Sequence, residues 1–122
     1  MKFSEDNPAD GFYIQKYDAD TIIINDRGFD CSLIIAPDQV IEHWQPRSID
    51  ALSLTHFDEL LALQPEIALL GTGKRLVFPP VEVYASLIRH GIGVEIMDTG
   101  AACRTYNILM GEGRRVVAGL IF

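Results

Sequence analysis

The chain has 122 residues, of which 48% are hydrophobic and 22% charged, a composition typical of a globular protein and not of a disordered, collagen-like or disulfide-rich chain. Seventeen acidic and ten basic side chains give a net charge of −7, which repels phosphate backbones and anionic lipid surfaces and so argues against nucleic acid and membrane surfaces as partners. We expect residues 1–122 to form a single domain, because a chain of this length buries enough surface for one core.

The charge is unevenly distributed along the chain. Residues 1–70 carry thirteen acidic and four basic side chains, a net −9, whereas residues 71–122 carry four acidic and six basic ones, a net +2. A small anion, bound weakly if at all, is therefore expected to prefer the C-terminal half.

The first residues do not resemble a targeting segment. Met1 to Pro8 lack the basic and apolar stretches of a secretory signal and the Arg-rich character of a mitochondrial presequence. No apolar run approaches the roughly 20 residues that a membrane helix needs. We therefore predict a cytoplasmic protein without membrane insertion, in which Cys31 and Cys103 are free thiols.

The first 45 residues alternate short apolar segments with turn residues, a pattern typical of antiparallel strands. Asp18 to Asp20, Asp26 to Gly28 and Pro37 to Gln39 are the predicted turns. Pro37 has the φ that a type I turn requires at its second position, so the last two strands should form a hairpin, and Trp44 at the end is expected in the core. The predicted strands are Phe12 to Tyr17, Thr21 to Asn25, Cys31 to Ala36 and Val40 to Trp44.

Helices and continuous apolar runs alternate in the remainder of the chain. A first helix is predicted from Ser53 or Thr55 to Leu63, a second from Pro79-Pro80 to Gly91, and a third from Asp98 or Thr99 to about Met110. Between and after them lie three apolar runs that indicate strands, Ile67 to Leu70, Val94 to Met97 and Val116 to Phe122.

This order of elements predicts an α/β protein. The C-terminal half is a βαβαβ unit with right-handed crossovers, so its sheet should be at least partly parallel. The N-terminal strands are antiparallel and need a layer to pack against. We therefore predict a three-layer fold with a mixed central sheet, helices on its faces and N-terminal antiparallel hairpins as an additional layer.

A glycine-rich loop follows the first apolar strand of this unit, at the end of the strand where open α/β sheets bind ligands. It does not match a Walker loop, which needs glycine at Ala68 and Ser or Thr at Arg75, nor a dinucleotide fingerprint, which needs glycine at Leu76. A tight turn with positive φ is the alternative. The loop is Gly71, Thr72, Gly73, Lys74 and Arg75.

The loop after the next strand should lie beside this one, because neighbouring parallel strands end at the same edge. Free N–H groups of the third helix, the hydroxyls of Thr72 and Thr99 and nearby cations could together hold a carboxylate or phosphate. The alternative is a capped helix with solvated cations. Arg104, about one turn into this helix, is expected to reach back to Asp98 or toward the Gly71 loop. The candidate ligand-binding residues are Gly71, Thr72, Gly73, Lys74, Arg75, Asp98, Thr99 and Arg104.

Other kinds of active site are poorly supported by the sequence. Asp98-Thr99-Gly100 resembles the aspartic protease signature, but the chain has one copy and a helical pattern follows it. Cys103 could serve as a nucleophile only with a histidine nearby, and His43, His56 and His90 lie at no diagnostic spacing. We therefore predict neither catalytic residues nor a metal or other cofactor.

Several segments together resemble a family of conserved hypothetical proteins that includes mitochondrial respiratory complex I assembly factor three. The run from Asp98 to Leu109 is the specific part of the resemblance, whereas the glycine-rich loop alone is not. Cys31 departs from the pattern, which has glycine there. The matching segments are Gly71 to Gly73, Met97 to Thr99, Ala101 to Leu109 and Glu112 to Val116, with Phe29 to Ser32, Pro37 and Trp44 upstream.

The resemblance implies a three-layer α/β fold with a mixed sheet, no established catalysis in bacterial and archaeal members, and assembly by protein contact in the mitochondrial member. Two hypotheses follow: an interaction or assembly factor whose partner is another protein, or a small-molecule site or enzyme at the two loops. The first predicts contact through the acidic N-terminal half and through apolar residues around Phe12, Tyr13 and Trp44.

Overall fold

The computed structural model describes residues 10–18 and 20–122. The features predicted for Met1 to Pro8, and Ala19 in the first turn, lie outside these residues. Short 3-10 turns cover Ile49–Ala51 and Val81–Val83. The strands and helices are β1 (Ile14–Tyr17), β2 (Ile22–Ile24), β3 (Arg27–Phe29), β4 (Leu33–Ala36), β5 (Gln39–Ile41), α1 (Leu54–Leu61), β6 (Ile67–Gly71), α2 (Ala85–Arg89), β7 (Gly93–Met97), α3 (Thr99–Gly111) and β8 (Val116–Leu120).

The first three strands form a small antiparallel sheet in the order β1-β2-β3. The turn between β2 and β3 consists of Asn25 and Asp26, which have φ values of 46° and 72°, the left-handed conformation that two-residue hairpin turns require. The prediction of a turn at Asp26 to Gly28 was therefore wrong. Arg27 and Gly28 belong to β3, which pairs with β2 and which the sequence pattern did not indicate.

The next hairpin is confirmed. Strands β4 and β5 pair antiparallel with Ala36 opposite Gln39, so that Pro37 and Asp38 form the turn. Strand β5 ends at Ile41, and the predicted extension to Trp44 was wrong, since His43 adopts a φ of 58°. Trp44 is nevertheless buried, as predicted.

A five-stranded mixed sheet lies at the centre of the molecule, in the order β5-β4-β8-β6-β7. Strand β6 runs parallel to both β7 and β8, whereas β4 runs antiparallel to β8. Because β6, β7 and β8 are joined through α2 and α3, the predicted βαβαβ unit is confirmed. All five residues of β8 are buried, as expected for a central strand covered on both faces.

The two faces of the central sheet are covered by different elements. Helices α1 and α2 cover one face through Phe57, Leu60 and Leu87, which pack on Ala68, Leu70 and Val117. Helix α3 and the small sheet cover the other face, where Tyr106 and Ile22 pack with Leu69 and Ala118. The three-layer α/β prediction is confirmed. In the structure, α2 and α3 lie on opposite faces of the central sheet.

The helix boundaries follow local chemistry. Helix α1 begins after Ser53, whose N–H donates to Nδ1 of His56 at 3.1 Å, and ends at Leu61 rather than at the predicted Leu63. The predicted second helix is broken, because Tyr84 (φ −121°, ψ 12°) separates a 3-10 turn from the five residues of α2. Gly91 has a φ of 77° and terminates it. Helix α3 agrees with its predicted bounds.

Candidate functional site

The carboxyl ends of β6 and β7 lie side by side, with Gly71 opposite Met97. The chain leaves β6 toward α2 on one face and leaves β7 toward α3 on the other. Adjacent strands whose connections go to opposite faces leave a crevice outside the sheet, which is where α/β proteins bind ligands. The two loops predicted to share an edge therefore do so.

Gly71 and Gly73 have different roles in the first loop. Gly73 has a φ of 100°, so the predicted turn with positive φ is confirmed at that residue. Gly71 is needed for close packing instead: a Cβ there would lie 2.9 Å from Oγ1 and 3.0 Å from Cα of Thr99. Only glycine at this position allows the first residue of α3 to approach the end of β6.

Thr99 connects the ends of three elements. Its backbone N–H donates to the carbonyl of Gly73 at 2.9 Å, and its Oγ1 accepts from the Gly73 N–H at 2.8 Å. The same hydroxyl donates to the carbonyl of Ile121 at 2.6 Å. Thr99 is fully buried, and its hydroxyl both donates and accepts hydrogen bonds within the fold. The hydroxyl therefore stabilises the junction and has little hydrogen-bonding capacity left for a ligand.

Thr72 holds the rest of the loop in shape. It is buried, and its hydroxyl donates to the carbonyl of Arg75 and accepts from the N–H of Val77 at 3.2 Å. Its own N–H donates to the carbonyl of Met97 at 2.9 Å. Both threonine hydroxyls of the predicted anion site are thus engaged in internal hydrogen bonds.

Asp98 and Arg104 do not form the ion pair expected of them. Asp98 is the N-cap of α3, with Oδ1 accepting from the N–H of Ala101 at 2.8 Å, as predicted for a capping residue. Arg104 is exposed, and none of the ion pairs among residues 10–18 and 20–122 includes it. The expectation that Arg104 pairs with Asp98 was wrong, and Arg104 does not reach the Gly71 loop either: its side chain lies beside Gly100, in a cleft that the loop does not line.

Five of the eight predicted site residues line two separate cavities, and Gly71, Asp98 and Thr99 line neither. Arg104 lines a cleft of about 240 Å³, together with Tyr17, Gly100, Cys103 and Asn107. Thr72, Gly73, Lys74 and Arg75 line a separate cavity of about 390 Å³. Tyr17 lines both, and its pKa is raised, first by burial and then by the proximity of Cys103 and of Asp98.

The larger of these two cavities is lined by basic and apolar side chains. Arg47, Lys74 and Arg75 line it, and no carboxylate side chain is present among its described lining residues. The three cations also form no ion pair within the described part of the chain. Its other lining residues are Tyr17, Ser48, Ile49, Thr72, Gly73, Val77, Ile121 and Phe122.

Arg47 and Tyr17 were not predicted as site residues, because they lie far from the glycine-rich loop in sequence. Tyr17 comes from β1 of the small sheet, and Arg47 from the connection between β5 and α1. Only the stacking of the small sheet on α3 and the path of that connection bring them to the cavity. Arg47 had one signal, as one of four basic residues among the first 70.

Four of the eight large apolar side chains that are exposed among the described residues lie in one segment after the glycine-rich loop, residues 76–81. Phe78 is 66% exposed, Leu76 50% and Val81 52%, and Val77 lies between them. Phe12 and Trp44 are buried, so of the three aromatic residues around which a contact surface was expected, Tyr13, 39% exposed, is the one available for contact. A run of apolar residues followed by Pro79-Pro80 was the available signal, since prolines cannot continue a central strand.

The cysteines form no disulfide, as predicted. Burial raises the pKa of the Cys103 thiol to about 12, which keeps it protonated and weakly nucleophilic. Sγ of Cys31 lies 3.5 Å from Nδ1 of His43, a contact between residues twelve apart that the spacing did not indicate. That pair lies outside both cavities. Among the described residues, no group of three or more His, Cys, Asp or Glu side chains is placed to hold a metal.

No helix among the described residues has the length and apolar character required to cross a bilayer.

A family profile described as "Protein of unknown function (DUF498/DUF598)" matches residues 14–121. A protein of Francisella tularensis named "13 kDa major membrane protein" is 32% identical over 117 residues, which is 95% of each chain. Human NADH dehydrogenase [ubiquinone] 1 alpha subcomplex assembly factor 3 is 32% identical over 93% of this chain, which spans 62% of the human protein. A crystal structure from Bordetella parapertussis superposes with a TM-score of 0.86 at 36% identity, covering 91% of this chain and 95% of the other.

Proposed function

The chain belongs to the DUF498/DUF598 family, and from this membership we propose that it acts as an accessory or assembly factor by binding another protein rather than by turnover, with a link to respiratory complex I biogenesis. The observation that carries the proposal is the similarity to complex I assembly factor 3 over 93% of the chain. The human protein is longer, and the assembly role given in its name refers to the whole human protein. The shared part is the domain whose fold is described above.

The distribution of functional groups supports binding over catalysis. The only thiol and imidazole found in contact within the described residues, Cys31 and His43, lie outside the cavities, and Cys103 is buried with a raised pKa. A nucleophile needs a base within hydrogen-bonding reach and a shielded place for its substrate. Exposed apolar side chains beside unpaired cations are instead typical of a surface that binds a partner.

The proposal is tested by deleting the gene in the native host and measuring NADH oxidation by isolated membranes. We expect reduced oxidation and accumulation of incomplete complex I, because an assembly factor acts before the enzyme is finished. Purification of the tagged protein from the same host should recover a complex I subunit or another assembly protein. Normal complex I together with no reproducible partner would contradict the proposal.

A second candidate function is the binding of a small anion, and the cavity beside Lys74 favours it. Three cations line a concave site of about 390 Å³, a volume within the range of small-molecule sites, and none of its described lining residues has a carboxylate side chain. Phosphate, sulfate and a small carboxylate should then shift the amide signals of Gly73, Lys74 and Arg75 in an NMR titration. Shifts elsewhere, or none below high millimolar concentration, would remove this candidate.

A cytoplasmic location is also part of the proposal. It is supported by two unbridged cysteines, Cys31 and Cys103, since thiols stay reduced in that compartment. The name of the Francisella relative points to a membrane instead. Fractionation of host cells, with and without a high-salt wash of the membranes, distinguishes a cytoplasmic from a membrane location. We expect the protein in the cytoplasmic fraction. Recovery of the protein with membranes after the high-salt wash would contradict this location.

A further inference from the structure

The connection between β6 and α2 presents apolar side chains to solvent over residues 74–81, which we name the 74–81 loop. Leu76, Val77, Phe78 and Val81 are all exposed, Phe78 to 66%. Monomeric proteins expose single apolar residues routinely, but a contiguous apolar stretch of this kind marks an interaction site.

The loop is held in a defined conformation. The buried hydroxyl of Thr72 donates to the carbonyl of Arg75 and accepts from the N–H of Val77, and these two hydrogen bonds hold the backbone at the start of the loop. Pro79 and Pro80 restrict the backbone at its other end, and Pro79 is buried. A preorganised surface loses little conformational entropy when it binds, which favours affinity.

Charge accompanies the apolar stretch. Lys74 and Arg75 begin the loop, Arg47 lines the same cavity, and none of the three is in an ion pair within the described residues. Residues 71–81 contain no acidic side chain, in a protein whose net charge is −7. The charge complement of this surface is therefore a carboxylate-rich segment.

The apolar and basic groups meet at the cavity of about 390 Å³. Val77 belongs to both the loop and the cavity wall, and Ile49, Ile121 and Phe122 extend the apolar lining. A concave apolar pocket within a larger apolar patch is the arrangement that accepts one anchoring side chain of a partner.

We propose that the 74–81 loop and the adjoining cavity bind an acidic segment of a partner protein, one apolar side chain of which enters the cavity while neighbouring carboxylates pair with Arg47, Lys74 and Arg75. This inference rests on the proposed function and specifies the chemistry of its partner.

The extent of the patch favours a protein segment over a small molecule. Leu76 and Phe78 are exposed beside the cavity and do not line it, so a compound filling the cavity would leave them in water. An extended or helical segment covers the cavity and the loop together. A second copy of the chain would have to join the basic loop of one to an acidic surface elsewhere on the next, a head-to-tail contact that propagates unless it closes into a ring.

The test places a photocrosslinking residue at position 78 of the tagged full-length protein in the native host. Position 108 serves as the matched control, because Ile108 is also exposed, to 62%, and lies on α3 away from the loop. We expect an adduct from position 78 and none from position 108. Mass spectrometry of the adduct should identify a peptide with Asp or Glu beside an apolar residue.

Affinity for that identified peptide, measured with the purified protein, then tests the individual groups. Lys74→Glu combined with Arg75→Glu, and separately Phe78→Ser, should each weaken binding at least about tenfold, because they reverse the charge or remove the apolar contact. Arg89→Glu and Ile108→Ser are matched exposed substitutions outside the surface and should leave the affinity unchanged. Binding should also weaken as salt concentration rises.

The outcomes separate this surface from the proposed function. Two results would contradict the proposed binding surface but not the assembly role. One is an adduct at position 108 alone. The other is no adduct at position 78 in a host whose deletion strain lacks complex I. A self-adduct, or a crosslinked peptide without carboxylates, also overturns the surface as stated. No adduct at either position in a host whose deletion strain has normal complex I overturns both.

Discussion

Two adjacent regions at the carboxyl edge of the central sheet contain seven of the eight residues that the sequence assigned to one site, all except Arg104. In the junction around Thr99, hydroxyl and backbone groups are used within the fold. In the 74–81 loop, the cations form no ion pair within the described residues and the apolar side chains lie in solvent. The comparison shows that residues of the right type in the right place contribute to a site only when the fold leaves them unused.

Polar side chains of helix α3 are also used within the fold, like those of the junction around Thr99. Asn107 accepts from the N–H of Ile14 at 2.9 Å and donates to its carbonyl at 2.6 Å, so its side-chain amide takes the place of a strand partner for β1. The hydroxyl of Tyr106 donates to the carbonyl of Phe12 at 2.8 Å, and burial raises its pKa. The run from Asp98 to Leu109, which carried the family resemblance, therefore contains residues that join the layers.

The largest effect on stability is expected from Thr99→Val. The substitution keeps the shape of the side chain but removes the hydroxyl, leaving the carbonyl of Ile121 and the N–H of Gly73 without their partner. Loss of about 2 to 3 kcal/mol in the free energy of unfolding is expected from buried groups left unsatisfied. Urea denaturation measures it, with Thr99→Ser, which keeps the hydroxyl, as the milder control. A change below about 0.5 kcal/mol would show that the junction is not the tight region described.

Gly71→Ala should destabilise by about 1 to 3 kcal/mol, because the added methyl overlaps Thr99, including its backbone, and one of the two elements must shift. The control is Gly111→Ala at the end of α3, where an added Cβ meets nothing within 4 Å. That variant should be neutral or slightly stabilising, since alanine favours helix. Equal destabilisation of both variants would mean that close packing at Gly71 is not the cause.

Arg104→Ala should change the free energy of unfolding by less than about 0.5 kcal/mol, as is usual for exposed residues outside any network. The side chain is exposed and belongs to none of the three ion pairs found among the described residues. The thermal midpoint, compared with that of Arg89→Ala on α2, provides the measurement. A loss clearly larger than that of the control would restore the tether to Asp98 that the sequence predicted.

Phe78→Ser should have the smallest effect on stability, within about 0.5 kcal/mol of zero, because a side chain that is 66% exposed contributes little burial. Denaturant midpoints of this variant and of Ile108→Ser on α3 provide the comparison. Marked destabilisation by Phe78→Ser alone would show that the 74–81 loop stabilises the fold, and the contrast between the two regions would fail.

The sequence predicted β4, β6 and β8 of the central sheet well, because these strands are continuous apolar runs, and it predicted the starts of α1 and α3 because both have clear capping residues. Asp98 caps α3 and Ser53 begins α1, as their residue types indicate. Strand β3 was missed since only Phe29 of its three residues is buried, which leaves no apolar alternation to detect. The second helix was overestimated, because spacing alone does not show that Tyr84 leaves the helical conformation.

The candidate site was predicted less completely. Gly73, Lys74 and Arg75 do line a cavity, but Tyr17 and Arg47 reach it from elements distant in sequence. Spacing also does not show that the hydroxyl of Thr99 is taken up by the carbonyl of Ile121, a contact across 22 residues. Exposure of the apolar run at Leu76 to Phe78 depends on what packs over it, which only the assembled layers determine.

The central claim is that the 74–81 loop serves partner binding whereas the neighbouring junction serves the fold. In the most direct test, the gene encoding the Phe78→Ser variant is inserted into the chromosome of a strain that lacks the gene. NADH oxidation by membranes then measures complex I assembly, and an immunoblot measures the amount of the protein. We predict a normal amount of protein and impaired assembly, with Ile108→Ser normal in both respects. Normal assembly with Phe78→Ser at a normal protein level would contradict the claim.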